Sequence, residues 1–330
     1  MNNRRKLVIA LGAGALVTPF GSFAQPQPKV WRVGFLMARS RPVSLESDFL
    51  GAFSMGMRDL GYVEGKNLVI EWRFAAGHYE RLPDLAAELV RLKVDVIVAL
   101  GPPSIIAVQK ATSTIPIVIL TGLDPVDAGY VKTLARPGGN ITGISNLSGE
   151  ASPKHLELLL TMSPKLSRVA VMVNPANRAH ATMSKRVQVA SQKVNVKVLP
   201  MEARTPQEIE TAFSVMTKQN AGALIVGLDP VFIDQRRQIA GLAAKNQLLS
   251  IATFREYVED GGLMSYGQNL AEQYRLLAIF VDKILKGAKP ADLPVEQPTK
   301  FELDINIKTA NALGIKIPNS MLVQATKVIE

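Results

Sequence analysis

The feature that most constrains this chain is a regular alternation of short apolar runs with longer segments of helical spacing. The run Val94–Leu100 is almost continuously β-branched, which is typical of a strand buried on both faces of a parallel sheet. One series of predicted strands comprises Val30–Met37, Asn67–Phe74, Val94–Leu100, Ile115–Leu120 and Ile141–Ile144, and a second comprises Arg168–Val173, Val194–Leu199, Ala223–Val226 and Leu249–Ala252. Repeated strand–helix–strand units with short connections predict a parallel sheet in each series, with helices on both faces.

Two domains follow from this double series. A chain of 330 residues exceeds what a single hydrophobic core usually organises. We therefore predict an α/β protein of two Rossmann-like lobes joined by a multi-strand hinge. Lobe 1 is assigned residues 29–145 plus about 262–293, and lobe 2 is assigned residues 146–261 plus about 299–330. The hinge segments are expected near Ser145–Glu150, Glu259–Gly262 and Pro294–Pro298.

The first 24 residues have the three parts of a cleavable signal peptide, in order. Arg4–Lys6 is a positive head, Leu7–Val17 is an apolar run, and Ser22–Ala24 has the small-x-small pattern of a cleavage site. The alternative is a buried first helix, but Leu7–Val17 has no polar face for one. The apolar run is also well short of the roughly 20 residues that span a bilayer. The sequence therefore predicts export to the periplasm, by the Sec or twin-arginine route, and no stable membrane insertion.

The motifs that usually mark enzymes with cofactors are missing. The turn after the first predicted strand, Ala38–Pro42, contains no glycine, whereas a nucleotide-binding turn at this place is glycine-rich. The three histidines have no metal-ligand spacing and there is no cysteine. No cofactor, no metal and no catalytic residue are therefore predicted. The net charge of +10 is not gathered into a basic run with aromatic residues, so nucleic-acid binding is not expected either.

Polar residues follow several predicted strands at their carboxyl ends, where parallel α/β sheets bind ligands. The pentapeptide Gly-Leu-Asp-Pro-Val closes two of the strands, at residues 122–126 and 227–231. Its aspartates are interpreted either as helix caps or as acceptors for a ligand ammonium group. Backbone N–H groups at Gly101–Ser104 could hold a carboxylate, as helix N-termini hold anions. The predicted ligand-binding residues are Ser40, Ser104, Thr121, Asp124, Asn146, Asn174, Asn177, Asp229, Phe254 and Tyr266.

Several segments resemble the family of ABC-transporter substrate-binding proteins that includes tryptophan- and tyrosine-binding receptors. The matching segments are Leu60–Asn67, Ser113–Val118, Arg136–Gly143, Val173–Pro175, Gly261–Gly267 and Gln297–Leu303. The resemblance covers nearly the whole mature chain. It implies the type I periplasmic-binding-protein fold, three crossings between the lobes, and a ligand in the cleft. It also implies the transmembrane subunits of an ABC permease as partners. We expect a monomer that binds a small, amino-acid-like solute, with an aromatic amino acid as the favoured candidate.

Two other functions share this architecture. A motif-less transferase or hydrolase exported to the periplasm remains an alternative, because the fold by itself does not specify function. The sensor core of a lac-repressor-type regulator would require an N-terminal helix-turn-helix, and the N-terminus has the pattern of an export signal instead.

Export gives the first testable prediction. Because the cleavage pattern ends at Ala24, N-terminal sequencing of the periplasmic protein is expected to begin at Gln25. A cytoplasmic chain that retains Met1 would contradict the signal-peptide interpretation.

Overall fold

A five-stranded parallel sheet forms the centre of the first lobe. The computed structural model describes residues 29–330, and the predicted signal peptide lies outside the described residues. The strands are β1 (Trp31–Met37), β2 (Leu68–Phe74), β3 (Val96–Leu100), β4 (Ile117–Thr121) and β5 (Ile141–Ser145), in the order β2-β1-β3-β4-β5. All of its strand pairs are parallel. Every residue of β3, β4 and β5 is buried, as the β-branched runs predict.

A seven-stranded sheet forms the centre of the second lobe. Its strands are β6 (Arg168–Val173), β7 (Lys197–Glu202), β8 (Ala223–Val226), β9 (Leu249–Ala252), β10 (Met264–Gly267), β11 (Glu302–Asn306) and β12 (Lys327–Ile329). Their order is β12-β11-β10-β9-β8-β6-β7, and β10 and β11 are antiparallel while the other neighbours are parallel. The predicted α/β architecture with two sheets is therefore present.

Helices cover both sheets. They are α1 (Leu50–Asp59), α2 (Leu82–Arg91), α3 (Gly101–Ala111), α4 (Ser152–Met162), α5 (Arg178–Gln192), α6 (Pro206–Lys218), α7 (Pro230–Asp234), α8 (Arg236–Lys245), α9 (Glu256–Glu259), α10 (Leu270–Leu285), α11 (Ile307–Ala312) and α12 (Asn319–Gln324). None of these helices is long and apolar enough to cross a bilayer, within the part of the chain that the structure describes.

The path of the chain late in the sequence differs from the prediction. Residues 262–293 were assigned to lobe 1, but β10 pairs with β9 and β11 in the second sheet. Helix α10 and the residues after it do join the first lobe: α10 packs against α1, and the Gly138 amide donates to the Ala291 carbonyl at 3.1 Å. An ideal Cβ at Gly56 of α1 would lie 2.9 Å from the Cβ of Ala278, so glycine permits this close approach. The segment Glu259–Gly262 therefore lies within the second lobe and is not a crossing.

The chain crosses between the lobes at residues 146–151, 268–269 and 297–301, between the elements of one lobe and those of the other. The first crossing agrees with the sequence prediction, and the third overlaps the last two residues of the predicted Pro294–Pro298. Side-chain amides connect all three. Gln268 Nε2 donates to the Pro298 carbonyl, Gln273 Nε2 donates to Gln268 Oε1 at 2.6 Å, and Asn146 Nδ2 donates to Gln273 Oε1 at 3.3 Å.

A buried carboxyl group lies on one flank of the interface between the lobes. Glu256 of α9 lines a cleft of about 460 Å³ that also contacts Asp48 and Phe49 of the first lobe. Its Oε2 atom is buried and has no hydrogen-bond partner among the described residues. The pKa of Glu256 is raised to about 7, chiefly by burial; the negative charges of Glu259 and Asp48 act in the same direction, while a backbone hydrogen bond and the charge of Arg236 oppose it.

This carboxyl group should make stability depend on pH. Between its ordinary pKa and about 7 the folded protein holds more protons than the unfolded chain, so the free energy of unfolding falls as pH rises. In the wild type we expect the free energy of unfolding to fall by roughly 1–3 kcal/mol between about pH 4.5 and 8 because of Glu256. In Glu256→Gln this part of the pH dependence should be absent. Denaturant titrations of both proteins across this range measure the difference. Parallel profiles would show that Glu256 titrates normally.

Candidate functional site

A cavity of about 80 Å³ lies between the lobes, at the carboxyl ends of β1, β3 and β4. Apolar side chains form most of its wall, namely Met37, Phe49, Leu100, Leu120, Ala179, Leu228, Ile233 and Leu270, together with Pro102, Pro230 and the ring of Tyr274. Polar groups are few and come from both lobes: Arg39, Thr121, Asn146, Ser148, Asn177 and Asp229. A largely apolar wall with a small number of placed polar groups is the usual composition of a small-molecule site.

Aromatic rings form one side of this cavity. The ring centroids of Phe49 and Tyr274 are 5.0 Å apart with planes inclined at 60°. The guanidinium group of Arg39 lies 4.8 Å from the centroid of the Phe49 ring. Such faces can pack against a flat apolar ligand.

The carboxylate of Asp229 is fully buried and accepts hydrogen bonds from both lobes. Within the second lobe, Oδ1 accepts from the Val231 amide at 3.0 Å and from Asn174 Nδ2 at 3.2 Å, while Oδ2 accepts from Asn177 Nδ2 at 2.9 Å. From the first lobe, the Tyr79 hydroxyl lies 3.0 Å from Oδ2 and 3.2 Å from Oδ1. Asp229 is therefore a helix cap, as one interpretation of the sequence predicted, and both of its oxygens are already occupied.

Burial keeps two neighbours of Asp229, the Tyr79 hydroxyl and the His180 imidazole, in their uncharged forms. Burial, and then the negative charge of Asp229, raise the pKa of Tyr79 well above its ordinary range, so its hydroxyl remains a donor. Burial lowers the pKa of His180, so this imidazole is neutral at pH 7. Its Nδ1 accepts from the Asn174 amide at 2.7 Å, which assigns the proton to Nε2, 3.2 Å from the Leu228 carbonyl.

A second contact between the lobes centres on Arg39. Its Nη1 lies 3.0 Å from Asp48 Oδ1 within the first lobe, and its Nε lies 3.1 Å from Asp234 Oδ1 in the second. The backbone amide of Ser40 donates to Asp234 Oδ2 at 2.7 Å. Burial lowers the pKa of Arg39, but Asp48 and Asp234 outweigh this and raise it above its ordinary value. The guanidinium therefore stays charged although only 5% of the residue is exposed.

Prolines alter the two helix N-termini that face the cavity. Pro102 and Pro103 occupy the first turn of α3, and Pro230 begins α7. Proline has no N–H group, so these helix ends have fewer donors for an anion than most. The expectation that the amides of Gly101–Ser104 hold a carboxylate is wrong for two of the four residues.

A polar outer cleft of about 720 Å³ adjoins the cavity, and Gly122 and Asn177 line both. Asp124 lies on its first-lobe side and Arg178 on its second-lobe side. Asp124 Oδ1 accepts from the amides of Val126 and Asp127 at 2.8 and 3.0 Å, so it caps a turn, while these bonds leave Oδ2 uninvolved. The outer cleft thus presents carboxylates and guanidinium groups, from Asp124, Asp127, Glu150, Arg178, Arg186 and Glu202, and of these Glu150 and Arg186 form an ion pair at 2.9 Å.

The ten predicted site residues divide into two groups. Six of them line the cavity or the outer cleft: Thr121, Asp124, Asn146, Asn174, Asn177 and Asp229. The other four do not. Ser40 contacts Asp234 through its backbone, and Ser104 is buried in α3 with no partner for its hydroxyl among the described residues. Phe254 belongs to the second-lobe core, 6.2 Å from the Tyr257 ring, and Tyr266 stacks on Phe301 at 5.4 Å near the hinge.

Several residues that line the cavity or connect the lobes were not predicted from the sequence. Arg39, Phe49 and Tyr274 line the cavity, and Tyr79 and Asp234 contact the opposite lobe. Arg39 precedes the predicted Ser40 by one residue, and its position at the end of the first strand was the available signal. The described residues contain no group of three or more His, Cys, Asp or Glu that could hold a metal ion.

Known proteins match nearly the whole described chain. The family model for ABC transporter substrate binding protein matches residues 44–329. A tyrosine-binding protein of Clostridioides difficile is 30% identical over 272 residues, which cover 80% of this chain and 76% of that protein.

Solved structures agree with these sequence matches. A conserved domain protein from Vibrio cholerae O1 biovar El Tor has a TM-score of 0.82 at 27% identity, covering 91% of this chain and 100% of that one. The ABC domain of Streptococcus pneumoniae in complex with L-Trp has a TM-score of 0.79 at 25% identity, with the same coverage. The predicted two-lobed α/β fold class is confirmed.

Proposed function

Because the chain belongs to the family of ABC transporter substrate binding proteins, we propose that it captures a small amphiphilic solute, with an aromatic amino acid as the favoured candidate. The solute-binding function predicted from the sequence is confirmed by this membership, and the enzyme alternative gains no support from the relatives. The observation that carries the finer proposal is the largely apolar cavity between the lobes, whose few polar groups come from both lobes.

The apolar body of the solute is proposed to pack between Phe49 and Tyr274 on one side and Leu228 and Ile233 on the other. The cavity of about 80 Å³ is smaller than the roughly 300–1,000 Å³ of most ligand pockets. A solute of amino-acid size would therefore extend through the opening at Gly122 and Asn177 into the outer cleft. The names of two relatives, one tyrosine-binding and one in complex with L-Trp, support an aromatic body.

The zwitterionic head of an amino acid would then lie in the outer cleft. Asp124 supplies an acceptor for the ammonium group, and Arg178 on the opposite wall supplies donors for the carboxylate. The amides of Asn174 and Asn177 add neutral hydrogen bonds. Asp229 is a poor candidate for the ammonium, because Tyr79, Asn174, Asn177 and Val231 already saturate its oxygens.

The cellular role follows from the family. We propose a non-catalytic periplasmic receptor that delivers its solute, as a monomer, to the transmembrane subunits of an ABC permease. The signal-peptide pattern at residues 1–24 supports export, and the absence of recognisable catalytic motifs in the sequence agrees with a binding role.

Calorimetric titration tests the solute class. Purified mature protein is titrated with L-tyrosine, L-tryptophan, L-phenylalanine, L-leucine and D-ribose, after unfolding and refolding to remove any co-purified solute. We expect saturable binding of an aromatic amino acid and none of ribose, because the cavity wall is apolar. Binding of ribose with no response to any amino acid would overturn the proposed class.

Paired variants test the head group. If Asp124 holds the ammonium, Asp124→Asn should weaken binding of the amino acid by about 10- to 100-fold, the range for a hydrogen bond to a charged group. Asp127→Asn is the matched control, since Asp127 lines the same cleft and its carboxylate makes no hydrogen bond among those described. Equal affinities of both variants and the wild type would remove Asp124 from the site.

A further inference from the structure

The short helix α7 is held at both of its ends by the opposite lobe. At its beginning, the capping residue Asp229 accepts from the Tyr79 hydroxyl. At its end, Asp234 accepts from Arg39 Nε at 3.1 Å and from the Ser40 amide at 2.7 Å. The first lobe therefore contacts both ends of a five-residue helix of the second.

The two contacts come from neighbouring segments of the first lobe. After β2, the chain turns through Ala76 and Gly77, whose φ angles are 55° and 82°. In this turn the Ala76 amide donates to the Arg39 carbonyl at 3.1 Å, and the Gly77 amide donates to the Ala38 carbonyl at 2.7 Å. Because these bonds tie the turn to the end of β1, Tyr79 and Arg39 should move as one unit relative to the second lobe.

Between its two held ends, α7 forms part of the cavity wall. Pro230 and Ile233 line the cavity, and so do Asp229, which caps α7, and Arg39, which contacts its end. The hydroxyl of Tyr79 contacts the beginning of α7 from the first lobe, and the carboxylate of Asp234 belongs to the last residue of α7. Neither residue lines the cavity or the outer cleft. Separating the lobes would break both contacts and move α7, together with the second lobe, away from the first-lobe wall of the cavity.

We propose that Tyr79 and Asp234 are positioning residues, which latch α7 over the bound solute and so set its rate of release. The effect on solute release rests on the proposed function, whereas the latch between the lobes does not depend on which solute binds. Both contacts involve a carboxylate that is largely enclosed, where hydrogen bonds to charged groups are strong. Losing either one should favour the open arrangement of the lobes.

Tyr79→Phe removes the first contact, and Asp234→Asn weakens the second by removing the negative charge and one of the two acceptor oxygens. Tyr62→Phe is the matched control. The Tyr62 hydroxyl donates to the buried carboxylate of Asp282 at 3.0 Å, so the control loses a similar tyrosine–aspartate bond within a single lobe. Thermal melts of all three variants show whether each one folds. A general loss of stability would appear in the control as well.

The distance between the lobes is the primary measurement. The chain has no cysteine, so spin labels at Arg91→Cys in lobe 1 and Lys218→Cys in lobe 2 are specific, and pulsed electron resonance reports the distribution of their separation. We expect Tyr79→Phe and Asp234→Asn to shift the distribution to longer distances, with and without L-tyrosine, and Tyr62→Phe to match the wild type. If both latch variants match Tyr62→Phe in both conditions, the latch is overturned.

Release of the solute is the second measurement, made with whichever aromatic amino acid binds the wild type. Stopped-flow displacement should show dissociation about 10-fold faster in Tyr79→Phe, with the association rate changed less than about threefold, because the latch forms after the solute enters. Equal dissociation rates in Tyr79→Phe and Tyr62→Phe would contradict the effect on release. Failure of every amino acid to bind would count against the proposed solute, while the distance distributions would still decide the latch.

Discussion

The buried carboxylate of Asp229 must be stabilised by hydrogen bonds, because it is fully enclosed and forms no ion pair among the described residues. The second lobe provides three donors, from Val231, Asn174 and Asn177, and Tyr79 of the first lobe provides the fourth. The solvation of this one anion therefore depends on how the lobes are placed. Satisfying it draws α7 toward the first lobe and completes the cavity wall.

Much of the fold could be predicted from the sequence, because strands buried in a parallel sheet carry an apolar pattern that needs no partner to be recognised. The run Ala223–Val226 forms a strand as expected, and so does Val94–Leu100 from its third residue onward. The position of β10 could not be predicted in this way. Its antiparallel pairing with β11 joins residues nearly 40 positions apart, and the local pattern of Met264–Gly267 is the same in either sheet.

The site residues that could be predicted are those whose position depends only on a neighbouring strand in the sequence. Thr121 ends β4, while Asp124 and Asn177 lie in the turns after β4 and β6, and parallel sheets gather such residues at one edge. Tyr79 and Arg39 were missed because their partners lie 150 and 195 residues away, a separation at which no local spacing carries information. Phe254 was misplaced for the reverse reason, since an aromatic residue after a strand has the same local pattern in a core as in a cleft.

The prolines at the cavity have a consequence for selectivity. Phosphate and sulfate esters are usually held by the free amides of helix N-termini. In α3 two of the first three residues lack an amide hydrogen, and in α7 the first lacks it and the second already donates to Asp229. At these helix N-termini a phosphate or sulfate group would contact proline carbon atoms in place of backbone N–H donors. We therefore expect sugar phosphates, nucleotides and sulfated metabolites to be excluded even when they are abundant around the protein.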